Sequence, residues 1–246
     1  ILQGEDARDE STYGIQPVDV LRDLKAGAKG LRIGIPEEAF FDDLDPEIDA
    51  AVRNAAGDFR DLGATVSEIA YPEAAIAAEM TLVINGVESA VIHEERVKEQ
   101  VEKMDPVVGP RMIDEVNILA MDYVKQLDEI KRLRQSQMET LRDIDIILTP
   151  TTRISALPVK TVNASLEVYL AYAAKYMANT VIGNRLGLCG ITLTCGFTSK
   201  GLPIGLLLNG KPFQEASVLR AGYAYEQATN WKDARPDLSW IENAEG

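Results

Sequence analysis

His93 is the only histidine in the 246 residues, so any serine–histidine catalytic pair would have to use it. Its neighbours Ile92, Glu94 and Glu95 follow a helical pattern, which reads as a helix histidine beside carboxylates. His93-Glu94 also lacks the second histidine of a zinc-binding helix. Ser155, Ser165, Ser199 and Ser217 stand in loop or helix contexts without a glycine cradle, and Gly-x-Ser-x-Gly is absent. Neither glycine-rich phosphate-binding motif occurs. Cys189 and Cys195, the only cysteines, are too few for a disulfide framework. They sit in apolar runs and read as buried free thiols. The acidic run from Asp42 to Asp49 invites calcium, but a calcium loop needs a flexible glycine near its middle and a closing glutamate. Here Pro46 opens a helix instead, and capping explains the carboxylates. Catalytic residues, metal ligands and cofactors are therefore none by this reading.

The elements that would position a site are easier to find. Residues 1–30 are loop-rich, with a short helix expected from Gln16 to near Gly27. Residues 31–35 (LRIGI) read as a strand closed by Pro36. Asp45 is a good N-cap, Pro46 suits the first helical position, and Glu47 and Asp49 favour the positive end of the dipole. Ile48, Val52, Ala55, Ala56, Phe59 and Leu62 then recur at helical spacing until Gly63. Residues 65–70 form a second strand, completing a βαβ unit with a parallel pair.

Residues 73–142 are mostly helical. Tyr123, Leu127, Ile130, Leu133 and Leu141 mark one apolar face that Gln137 interrupts. The run 144–149 (IDIILT) suits a central strand buried on both faces and is followed by the loop Thr151-Thr152-Arg153. Residues 163–182 are helical by pattern. From 184 to 213, two apolar runs flank the polar turn Thr198-Ser199-Lys200-Gly201, a strong hairpin signal. Residues 214–229 form a last helix with Val218, Leu219, Ala224 and Tyr225 inward. The tail from residue 230 is polar and loop-rich. The expected architecture is one α/β region over 1–246, a layered helix/mixed-sheet/helix fold.

The chain is 46% hydrophobic with a formal charge of −14, long enough for a sizeable core. That charge repels a phosphate backbone, so no direct nucleic-acid partner is expected. The basic run Lys131–Arg134 reads as a solvated helix face. No apolar run approaches the roughly 20 residues of a spanning helix, so no membrane is expected. A reducing cytoplasm is the default location for two free thiols. Ile1 is not an initiator methionine, so a fragment or processed chain is expected.

Three segments resemble one family in the right order: LRIGIP with LDPEIDAAVRNAAGDFRDLGATV, then DIDIILTPTT, then residues 178–231. Together they are similar to the C-terminal part of the amidase signature family. The resemblance implies that family's fold and hydrolysis or transfer of carboxamide groups through a Ser–cis-Ser–Lys triad. The family's triad lies in its N-terminal part. No Gly-Ser-Ser occurs here, and neither Lys160 nor Lys175 sits in the family's lysine context. The chain is thus expected to be inactive alone and to pair with the N-terminal portion of the same protein. The implied substrate is a small-molecule amide.

In relatives, the helix before the asparagine at position 184 lines the acyl pocket. Carried over, its wall is Ala174, Met177 and Val181. Thr151 and Thr152 lie just beyond a strand's C-terminal end, where α/β sheets bind ligands. In the tRNA amidotransferases that use glutamine, an arginine and an aspartate grip the glutamine. Arg111 stands near the arginine's place, and Met177 stands where the aspartate would be. Methionine cannot pair with an ammonium group, which favours a less polar amide. Two alternatives stay open, an A-type amidotransferase component and a non-catalytic binding domain, and a homo-oligomer stays open as the assembly.

Overall fold

The computed structural model describes residues 3–105, 107–115 and 117–235, and their side chains except those of 110, 111 and 114. In chain order the elements are β1 (Arg32–Pro36), α1 (Pro46–Asp61), β2 (Thr65–Ile69), α2 (Pro72–Glu79), α3 (Val83–Ile92), α4 (Glu94–Gln100), α5 (Val108–Glu115), α6 (Ala120–Thr140), β3 (Ile146–Pro150), α7 (Val159–Val162), α8 (Leu166–Leu186), β4 (Cys189–Phe197), β5 (Pro203–Gly210) and α9 (Glu215–Ala228).

Local chemistry accounts for the ends. Asp45 Oδ1 accepts the Glu47 N–H at 2.9 Å, capping α1 as its sequence predicts. Gly63 follows α1 at φ +85°, a left-handed position that favours glycine. Ser165 Oγ accepts the Val168 N–H and starts α8, which Gly187 stops at φ +70°. The turn after β4 closes through Thr198 N–H to Leu202 O and Gly201 N–H to Thr198 O, both 2.8 Å.

The five strands form one sheet in the order β2-β1-β3-β5-β4. β1 pairs parallel with β2 and β3; β5 pairs antiparallel with β3 and β4. β3 is buried at every position, the central strand its apolar run predicts. Alternation along the strands sends two sets of side chains to opposite faces. On one face Ile33, Ile146, Leu148, Leu206 and Leu208 pack with Val52 and Phe59 of α1 and Val218 and Tyr225 of α9. On the other, Ile147 packs with Tyr71, Leu133, Leu141, Ile182 and Leu186 around α2, α6 and α8. This is the layered α/β fold read from the sequence.

Three expectations need correction. Residues 20–25 form turns rather than a helix from Gln16. Leu21 is 69% exposed, so no apolar face is buried to offset the cost of nucleating a helix. Gln137 does not interrupt the inner face of α6; it is fully buried there. Tyr71 Oη donates to Gln137 Oε1, and Gln137 Nε2 donates to Leu186 O, each at 2.7 Å. Burial, with a smaller push from Glu73, raises the Tyr71 hydroxyl above its ordinary range, so it stays a neutral donor. The basic run is not wholly solvated: Arg134 Nε donates to Arg185 O at 2.8 Å, near the C-terminus of α8.

Gln137→Leu would strand a buried hydroxyl and a buried carbonyl. It is expected to lower unfolding free energy by about 2–3 kcal/mol, read from urea melts. Gln137→Glu leaves the Tyr71 bond possible, and its melt tells the two lost bonds apart.

Candidate functional site

Beyond the C-terminal ends of the parallel neighbours β1 and β3 the chain leaves toward opposite faces of the sheet, to α1 after β1 and to α8 after β3. Such a crevice is where open α/β sheets hold ligands. Here side chains fill it. Asn179, fully buried on α8, donates from Nδ2 to Phe40 O at 3.0 Å and to Pro150 O at 2.8 Å. Its Oδ1 accepts Arg153 Nε at 3.1 Å, and Arg153 Nη2 donates to Ala39 O at 2.7 Å. The Asp45 amide donates to Arg153 O at 2.9 Å, so the cap of α1 is tied to the same cluster.

Thr151 and Thr152 therefore flank a polar clamp. Thr151 Oγ1 reaches Thr192 Oγ1 on β4 at 3.3 Å, and Thr152 Oγ1 donates to Ile154 O at 3.0 Å. Sequence reasoning missed Asn179 and Arg153. The available signal was an asparagine within an otherwise apolar stretch of α8.

Asn179 also orients α8. Met177 and Val181 are two residues to either side, about 200° around the helix from it. Met177 is 48% exposed, Ala174 is exposed and Val181 is half-buried against the α6–α8 core. The three sequence-predicted residues do share a face. The structure does not bring Ala174 and Met177 into the sheet-side crevice with Thr151 and Thr152. They point to the far side of the helix.

That far side is longer than the sequence suggested. Leu166, Leu170, Ala174, Met177 and Val181 recur at steps of four, four, three and four, one stripe of a helix. Leu166 is 54% and Leu170 39% exposed. The stripe begins in a cleft of about 670 Å³ lined by Asp105, Val107, Val108, Asn163, Ser165, Leu166 and Tyr169. That volume suits a small organic ligand. Val108 belongs to α5, the helix that carries Arg111; the side chain of Arg111 lies outside the described residues.

The cleft lining offers one carboxylate, Asp105, beside apolar and hydroxyl side chains. Ser165 Oγ is engaged in capping α8. His93 stands at the junction of α3 and α4, away from the cleft lining. Burial pushes the Cys195 thiol up to about 12 and raises that of Cys189 as well, so both are neutral at ordinary pH. No group of three or more metal-ligating side chains occurs among the described residues.

Comparison with known proteins gives this geometry a context. The family model described as Amidase matches residues 1–219. The chain is 30% identical over 263 residues to the A-type component of the glutamyl-tRNA(Gln) amidotransferase of Chloroflexus aggregans, covering 97% of this chain and 53% of that one. It is 32% identical over 248 residues to an amidase of Pseudomonas putida, with 97% and 51% covered. A solved 6-aminohexanoate cyclic dimer hydrolase superposes with a TM-score of 0.80 at 20% identity, covering 96% of this chain and 53% of that one. The chain thus spans about half the length of these relatives. With a family match over nearly nine-tenths of its residues, the chain belongs to the amidase family, that of the amidase signature enzymes.

Proposed function

We propose that this chain is the substrate-wall half of an enzyme that hydrolyses a carboxylic amide to the acid and ammonia. The nucleophile comes from outside these 246 residues, which hold neither Gly-Ser-Ser nor Gly-x-Ser-x-Gly. One observation carries the choice of substrate class: the apolar stripe of α8 starts in the cleft at Leu166 and continues along the helix to Met177, 48% exposed and about three turns away. An apolar acyl group buries surface there, at about 25 cal/mol per Å². The stripe carries neither a carboxylate for the ammonium group of glutamine nor a cation for its carboxylate, and Asp105 is the one acid in the cleft lining.

A second reading has its own support. The Chloroflexus aggregans relative is one component of a glutamyl-tRNA(Gln) amidotransferase, which favours glutamine as donor and a partner chain.

Ammonia release separates the two. The complete gene product is expected to hydrolyse hexanamide or benzamide and to leave L-glutamine intact, while the 246-residue chain alone releases nothing. Met177→Asp is expected to lower kcat/KM for the apolar amide about tenfold, as ~1.4 kcal/mol of apolar contact is lost. Preference for glutamine by the unaltered protein overturns the apolar-amide reading in favour of the second. Single-serine labelling of the 246-residue chain by a phosphonate probe overturns both.

A further inference from the structure

Four buried side-chain atoms have no hydrogen-bond partner among the described residues: Glu73 Oε2, Thr149 Oγ1, Asn209 Nδ2 and Tyr225 Oη. Such an atom carries the cost of the water bonds it gave up unless something satisfies it. Two of the four are neighbours. Thr149, fully buried, stands on the central strand β3, and Asn209, 4% exposed, on β5. Thr149 alternates with Leu148 and Asn209 with Leu208, whose side chains pack toward α1 and α9, so both point to the opposite face, under α8. In the β3–β5 ladder Ile147 lies opposite Asn209 and Thr149 opposite Leu207. Thr149 and Asn209 are thus diagonal neighbours, roughly 7–8 Å apart in such a pair. Their side chains shorten that span to one that a single molecule closes with two hydrogen bonds of about 2.8 Å each. They do not bond each other.

α8 roofs this spot. Asn179 holds Pro150 O, one residue beyond Thr149, and the buried Gly183 follows one turn later on the same helix. A Cβ on Gly183 would stand 3.7 Å from Asn209 Oδ1, with no other atom within 4 Å, so the glycine leaves room under the helix that a larger side chain would fill. Gly190, opposite Asn209 on β4, is exposed, so solvent lies one strand away. The two side chains also set the chemistry of an occupant. Asn209 Nδ2 only donates, so the occupant must accept; Thr149 Oγ1 does both. A metal cation cannot accept a hydrogen bond. An anion needs a cation beside it, and the Arg153 guanidinium is turned to Asn179 and Ala39. A neutral molecule the size of water meets both conditions.

We propose that Thr149 and Asn209 bind one internal water beneath α8. The water accepts the Asn209 Nδ2–H and bonds the Thr149 hydroxyl, so β3 and β5 are joined by a side-chain bridge at the place where α8 rests on them. The helix that carries the Met177 face is thereby seated on a hydrated patch of an otherwise apolar sheet. Neither residue lines the cleft at Leu166, so the site does not depend on which amide is hydrolysed.

A crystal structure that orders buried solvent, of the 246-residue chain or of the complete gene product, is expected to show one density peak about 2.6–3.2 Å from both Thr149 Oγ1 and Asn209 Nδ2. Urea melts give a second readout, with opposite signs for a wet and a dry site. Thr149→Val expels the water and strands the Asn209 amide, so the unfolding equilibrium constant is expected to rise about tenfold. In a dry site the same change removes an unsatisfied hydroxyl, and the constant stays equal or falls. Asn209→Leu is expected to act like Thr149→Val. The double variant leaves no polar group to strand, so its loss is expected to be smaller than the two single losses combined. Thr149→Ser keeps a hydroxyl and is expected to keep the peak, which decides the matter where a larger change prevents folding. An empty site, an Asn209 carboxamide rotated onto a protein acceptor, a neutral or stabilising Thr149→Val, or strictly additive losses overturn the proposal.

Discussion

Replacing Asn179 with leucine is expected to lower unfolding free energy by about 4 kcal/mol, because two buried carbonyls and a half-buried guanidinium lose their bonds at once. Phe40 O and Pro150 O lose their donor, and Arg153 Nε loses its acceptor. Leucine is not smaller than asparagine, so little of the effect comes from a cavity. The damage should also be specific. Asn179 joins the loop after β1, the end of β3 and the middle of α8, so the loops on both sides of the crevice loosen together. Hydrogen exchange should rise at residues 37–45 and 151–157 while α9 keeps its protection. Arg153→Ala should cost less, about 2 kcal/mol, since the two acceptors that lose its donors, Asn179 Oδ1 and Ala39 O, are in part-buried bonds and the two Asn179 bonds to carbonyls stay in place. It also frees Ala39, held at φ 65° where a non-glycine residue is disfavoured. If the Asn179→Leu and Arg153→Ala losses simply add in the double variant, the two residues do not act as one clamp.

Phe59→Ala is expected to cost about 4 kcal/mol for a different reason. Phe59 is fully buried on α1, and its ring stacks on Tyr225 of α9 with centroids 5.4 Å apart. Truncation removes the ring's transfer free energy and leaves a void between two helices that both depend on the sheet for support. Thermal unfolding should remain a single transition with a lower midpoint. Phe59→Leu keeps most of the volume and should lose less than half as much. A loss below about 1 kcal/mol for the alanine variant would mean that α9 closes onto α1, and that the pair is not a rigid part of the core.

Much of the fold was legible in the sequence because its signals are local. Asp45 sets the start of α1 by accepting the Glu47 N–H two residues on, and Pro46 by its fixed φ. The run Ile146–Pro150 needs only its apolar character to be read as central. Gln137 and Asn179 were not legible in the same way. A polar residue in an apolar helix is ambiguous until its partners are known, and those partners lie 66 residues away at Tyr71 and 139 away at Phe40. The site divides similarly. Helical spacing placed Ala174, Met177 and Val181 on one face, and the resemblance named that face a pocket wall. The cleft at its far end is made with residues near Asp105 and Val108, which no pattern in α8 could reveal. The same holds for Thr151 and Thr152: position after a strand suggested a ligand crevice, but Arg153 and Asn179 occupy it.

The placement of β3 sets the order in which the molecule can assemble. Its partner β1 lies 113 residues earlier, as the Arg32–Asp145 hydrogen bonds show, so that pairing must close a very long loop. The β4–β5 hairpin and α9 close within 40 residues of Cys189 and have no such delay. The C-terminal third and the local β1–β2 pair, which joins Arg32 to Thr65, are therefore expected to form early, and the β1–β3 pairing that unites them late and slowly.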